Sequence, residues 1–209
     1  TYINTILDTT ILRNVVTDNS GGNLDASLTY NHLFKKPQQE FSLLGQYSRN
    51  NGNNEFVNTT LNQSDLSVER RLKNENKSVN QETTIQADYQ TPFGETQLLE
   101  FGGKAILRKV SSDYTYYNSV GTGPYVPDTT QALSNIFTYN QNIAASYASY
   151  TYASKSGYSF KGGARYEYTD ITAHFANEKG PLTIPSYNVV VPSVNLSKRL
   201  KNNNTLKLS

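Results

Sequence analysis

Along much of the chain apolar and polar residues take turns. Leu24, Ala26, Leu28 and Tyr30 alternate with Asp25, Ser27, Thr29 and Asn31. Tyr158, Phe160, Gly162, Ala164, Tyr166 and Tyr168 alternate with Ser159, Lys161, Gly163, Arg165, Glu167 and Thr169. Successive side chains of a β-strand point to opposite faces, so each stretch has one apolar and one polar face. The pattern predicts strands over about 23–34, 40–50, 80–90, 98–109, 137–152, 158–170 and 187–200, with another beginning at Thr205. Residues 1–20 hold an irregular apolar stretch (Ile3, Ile6, Leu7, Ile11, Leu12, Val15, Val16), read as a loop and strand end. Asn19-Ser20-Gly21-Gly22 reads as a turn. In 137–152 the facing is open, because Ile143, Ala145 and Tyr147 compete with Ala148, Tyr150 and Tyr152. Pro192 suits a strand edge or a bulge, since proline cannot donate to a ladder.

The links at 35–39, 51–80, 91–97, 111–136, 153–157, 171–186 and 201–204 alternate short and long. Tight turns at one end and long loops at the other suit a transmembrane β-barrel, whose turns are periplasmic and whose loops lie outside. The expected fold is all-β: an antiparallel up-and-down meander of about eight to nine strands forming a segment of a transmembrane β-barrel. Thr1 in place of Met, and a strand running into Ser209, read as residues 1–209 being part of one larger barrel domain.

Charge placement follows the same logic. The polar faces carry Asp25, Glu40, Glu82, Asp88, Glu100, Lys104, Arg108, Lys161, Arg165, Glu167 and Arg199. The apolar faces carry Arg49 and Lys198, each near a strand end. A Lys or Arg facing lipid at the midplane costs roughly 2–4 kcal/mol, falling toward zero at the interface. A sheet packed on a soluble core would alternate in the same way. Strand length favours the membrane, because ten residues at ~3.3 Å and a ~40° tilt span about 25 Å.

Composition narrows the classes further. Hydrophobic residues make up 36% of the 209, and mean hydropathy is −0.61. No run approaches the ~20 apolar residues of a spanning helix, and no signal peptide is visible. The 16 Tyr and 8 Phe, with no Trp, suit a border between lipid and water. A net charge of +2 without a basic stripe gives no reason to expect a nucleic-acid partner. The absence of Cys rules out a disulfide framework and thiolate metal ligands.

The stretch from Tyr158 to Thr169, with its Arg165-Tyr166-Glu167 landmark, resembles a strand of the TonB-dependent receptor barrel, in its outer-membrane-protein β-barrel family. So do Val191-Pro192-Ser193-Val194-Asn195-Leu196-Ser197 with Leu206-Lys207-Leu208-Ser209, and Asn23 to His32 with the Lys36-Pro37 turn and Phe41-Ser42-Leu43. The resemblance covers roughly residues 20–209. It implies a large barrel in the cell outer membrane, closed around an N-terminal plug and coupled to a TonB-type energy-transducing protein. It further implies import of a small molecule or glycan captured at the external loops. No plug and no coupling box is recognisable in these residues. The competing expectations are a passive porin or small plug-free barrel, and a soluble β-sandwich binding module.

The candidate residues fall into two groups. Asp25, Lys104, Arg108, Lys161, Arg165 and Glu167 are expected to face the lumen; Arg165 and Glu167, two apart on one face, suit structural pairing better than ligand contact. Tyr114, Tyr116, Tyr117 and Tyr125, placed in the 111–136 loop, offer rings for a sugar or an aromatic siderophore, with ordinary loop packing the plainer role. His32 and His174 have no partner at metal-ligand spacing. Gly121-Thr122-Gly123-Pro124 makes a poor phosphate loop, because proline removes a donor and no helix follows. No nucleophile motif is present, and neither an enzyme nor a cofactor is expected.

Overall fold

The computed structural model describes residues 11–128, 134–200, 202 and 204–209. Ile3, Ile6 and Leu7 lie outside the described residues. The strands are β1 (Ile11–Leu33), β2 (Glu40–Asn62), β3 (Val68–Phe93), β4 (Gln97–Val120), β5 (Val126–Pro127), β6 (Asn135–Ala153), β7 (Tyr158–Phe175), β8 (Leu182–Arg199) and β9 (Thr205–Leu208). They form one antiparallel sheet in the order β1-β2-β3-β4-β6-β7-β8-β9, with the short β5 against β4. Every neighbour on this path is the next long strand in the chain, so the sheet is an up-and-down meander. Among the described residues it is a single layer that does not close, because β1 pairs only with β2 and β9 only with β8.

The strands are much longer than the alternation indicated. β2, β3 and β4 run for 23, 26 and 24 residues. The long links expected at 51–80 and 171–186 are for the most part continued strand, and β2 and β3 turn at 63–67. Within 111–136, β4 continues to Val120 and β6 begins at Asn135. Asn19-Ser20-Gly21-Gly22 is no turn either: Gly21 stands opposite Gly52 in a continuous β1. A Cβ on Gly21 would lie 2.5 Å from the Asn51 carbonyl oxygen, so this glycine serves a close approach of two strands. In 50–62 alternation fades because amides dominate both faces. The ladder hydrogen bonds continue through these parts.

The register resolves the open facing. Tyr147 lies opposite Gly102 and Arg165, on the polar face, so Ala148, Tyr150 and Tyr152 take the apolar one. Pro192 pairs with Ala164 on a stretch of β8 whose other edge has no partner, as β9 reaches only Leu196 to Arg199.

The described residues show almost no core. Their buried apolar side chains are Ala145, Ile171 and Ala173, while Leu28 is 77% and Ile85 53% exposed. These two belong to one rung of the apolar face: Leu28, Gly45, Ile85, Ala105, Ala144 and Tyr168. On one side the apolar band reaches the tight turns through the ring contacts of Tyr30, His32, Phe34, Tyr89 and Phe101. On the other side it stops at the rung Leu24, Arg49, Gln81, Lys109 and Asn140. Lys109 thus joins Arg49 on the apolar face, which the sequence pattern had not assigned to it. From Phe41 to Arg49, or Leu99 to Lys109, the band spans about 20–25 Å of height at a ~40° tilt. Beyond it β2 continues for thirteen more residues, from Arg49 to Asn62.

Candidate functional site

Within the band the polar face is organised rung by rung. Ser48 donates to Asp25 at 2.6 Å. In the same rung Arg108 grips Glu82 through Nε at 2.9 Å and a terminal nitrogen at 2.6 Å, and reaches Gln141 at 2.7 Å. Two rungs below Arg108, Lys104 lies between Gln86 and Ala145. Among the described residues it has neither an ion-pair nor a hydrogen-bond partner.

The next rung holds Asp88, Gly102, Tyr147 and Arg165. Tyr147 donates to Asp88, and Gln86 donates to both, at 2.8 Å to Asp88 and 3.2 Å to the Tyr147 hydroxyl. Arg165 turns along its own strand to Glu167 at 2.8 Å. Below it, Glu100 accepts from Ser149 at 3.1 Å and from Lys161 at 2.5 Å. Lys161 reaches Glu100 from two strands away, over the small Ser149 and Gly163. Asp25, Lys104, Arg108, Lys161, Arg165 and Glu167 therefore share one face, and four of them are tied into three ion pairs. The Tyr147–Asp88 contact had no signal in the sequence, because the facing of β6 was ambiguous there.

Beyond the band the two faces exchange character. The former polar face becomes rich in amides, as in the rung Asn19, Asn54, Asn76, Tyr114 and Asn135, with Arg13 and Arg70 in one rung farther out. Ser112 donates to Asn76 at 2.8 Å, and Asn135 to Asn177 at 2.6 Å. The opposite face becomes charged. Glu55 and Glu75 stand directly across from one another, a repulsive placement on its own. Lys73 relieves it with an ion pair to each, at 3.3 Å to Glu55. The hydrogen bond to Glu75 pushes the Lys73 ammonium above its ordinary range, with burial acting the other way. In the 63–67 turn, donors from Ser67 hold the Asp65 carboxyl below the usual carboxylate range.

The four candidate tyrosines do not form one loop cluster. Tyr114, Tyr116 and Tyr117 lie on β4, and alternation sends Tyr117 to the face opposite Tyr114 and Tyr116. Tyr125 follows β4 and folds back over the charged face. There the Lys73 ammonium lies 5.1 Å from the Tyr117 ring and 5.6 Å from the Tyr125 ring, and Arg71 lies 4.7 Å from Tyr125. Ser119 fastens this fold-back by donating to the Gly123 carbonyl at 2.8 Å. Tyr117 and Tyr125 are engaged by cations, whereas Tyr114 and Tyr116 stand on the amide face. Among the described residues no group of three or more His, Asp or Glu side chains could hold a metal ion.

No curated protein matches the chain. Among solved structures, that of the ferric citrate transporter FecA in the unliganded form is similar at 12% identity and a TM-score of 0.45, over 80% of this chain and 27% of that one. Residues 32–209 match the outer membrane protein beta-barrel family. The apolar band, the polar rungs and the meander are what such a wall requires, and the chain belongs to this family, a protein of the outer membrane.

Proposed function

We propose that residues 1–209 form part of the wall of one wide, gated outer-membrane barrel that imports a nutrient, a TonB-dependent receptor in kind. The observation that carries this is the two-faced wall, with an exposed apolar band on one face and ion-paired polar rungs on the other. A barrel much wider than eight strands encloses a channel or a plugged lumen. On this reading the apolar band meets lipid and the ion-paired face lines the lumen. Lys104, with no partner in the sheet, contacts the plug or the passing solute. The ribbons beyond the band form a vestibule outside the cell, where Tyr114, Tyr116 and the Asn-rich rungs meet a small molecule or glycan. Coupling to a TonB-type protein supplies the energy. The wall itself carries out no catalysis and holds no cofactor.

The test is conductance in planar bilayers of the intact protein that contains this chain. A gated, plugged receptor shows no steady current without its energising partner. A steady ohmic current would overturn gating and favour the passive porin.

A further inference from the structure

We propose that Arg49 and Lys109 bind the phosphate of an anionic lipid headgroup in the external leaflet, with Gln81 between them. Arg49, Gln81 and Lys109 are consecutive members of one rung on β2, β3 and β4, on the lipid-facing side at the upper border of the apolar band. Two strand spacings put the outer two backbones about 10 Å apart, a gap that both long side chains can close onto one phosphate group. Both cations are exposed, and among the described residues neither has an ion-pair partner. Four other cations of the sheet, Lys73, Arg108, Lys161 and Arg165, hold carboxylates, and Lys104, which has no partner either among the described residues, stands on the opposite face. Lys198, at the opposite border, leans on the Tyr158 ring at 4.4 Å and donates to its hydroxyl at 2.6 Å.

No acid of that face stands in the rung itself. Asp18, Glu55 and Glu75 share a rung six residues beyond it, roughly 20 Å along the strands. Asp113 is four residues beyond Lys109, opposite Lys77, and Asp170 stands in the rung just below, with Leu107 and Asn142, two strands over from β4. Directly below the rung are Tyr47, whose hydroxyl accepts from Gln81 at 3.1 Å, and Leu107, which is exposed. A headgroup seated on the cations would lay its acyl chains against these side chains. A free phosphate would gain nothing from them, so the ligand is a phosphorylated lipid.

The experiment is native mass spectrometry of the intact protein in detergent, titrated with lipid A and with the same lipid after removal of its phosphates. Two interfacial cations predict a preference for the phosphorylated form of roughly 10- to 30-fold. Arg49→Gln with Lys109→Gln should abolish that preference, and Lys198→Gln should leave it intact. Equal binding of the two lipids to the unaltered protein overturns the proposal, whether or not the double variant folds. So does an undiminished preference in a folded double variant. Displacement of lipid A by inorganic phosphate at matched concentration overturns the lipid as the ligand.

Discussion

Tyr147 on β6 donates its hydroxyl to the Asp88 carboxylate on β3, although β4 lies between them. The bridge exists because the β4 residue in that rung is Gly102. A Cβ there would lie 2.6 Å from the Ala87 carbonyl oxygen, 2.6 Å from Asp88 Oδ1 and 2.7 Å from the Tyr147 hydroxyl. Gly102→Ala should therefore force the ring away and destabilise the barrel by about 1–3 kcal/mol. Tyr147→Phe should cost about 1 kcal/mol through the lost hydrogen bond. The double variant should cost less than the sum, since both changes break the same contact. Thermal unfolding in detergent micelles measures all three, and strict additivity would show that Gly102 does not serve this bridge.

That bridge also shows where the sequence stops being legible. Inside the membrane band one face meets lipid and the other does not, so Leu24 to Asn31 announces a strand and its facing. In β6 both faces carry small or aromatic residues, and Tyr147 and Tyr150 read alike until the register separates them. Beyond the band neither face meets lipid or a core, so Asn50 to Asn62 has no period-two signal and its amides read as loop. Strand pairing is a long-range property there, fixed by β1 and β3 on either side. The candidate tyrosines were misplaced for the same reason. The ionic rungs were legible as a face, but pairs such as Lys161 with Glu100 depend on which small residues lie between.

Lys73 is the keystone of the ribbon outside the membrane. With its side chain 19% exposed, it bonds Glu55 and Glu75, which face each other across β2 and β3. Lys73→Gln leaves two carboxylates in direct opposition and should loosen the ribbon by up to about 1 kcal/mol, as for other partly exposed pairs. Its folded pKa is raised, so this stabilisation is complete below the unfolded value of about 10.4 and is lost as pH climbs through the higher folded one. Cleavage in the 63–67 turn by an alkali-tolerant protease reports it. The variant should be cut faster than the unaltered protein at pH 8, and the two should converge well above pH 10.5. A constant difference across that range would mean that Lys73 acts by packing on Tyr117 and Tyr125 instead.

Leu28 and Ser27 are neighbours in sequence and opposites in environment. Leu28 is 77% exposed and faces Gly45, so no side chain across the ladder covers it. In a soluble protein, replacing so exposed a leucine would change stability by about 0.5 kcal/mol or less. Its rung lies four residues from the Arg49 border and four from Phe41, at mid-depth of the apolar band. Leu28→Arg should therefore cost about 2–4 kcal/mol, the cost of a guanidinium facing lipid at the midplane. Ser27→Arg places the same charge on the polar face, close to the Asp25 rung, and should be nearly neutral. Folding yield into phospholipid vesicles, read by heat-modifiable migration on gels, compares the two directly. Equal yields would mean that the apolar face is not the lipid face. A selective loss with Leu28→Arg ties the exposed apolar band to the bilayer, since water alone would not tell the two positions apart.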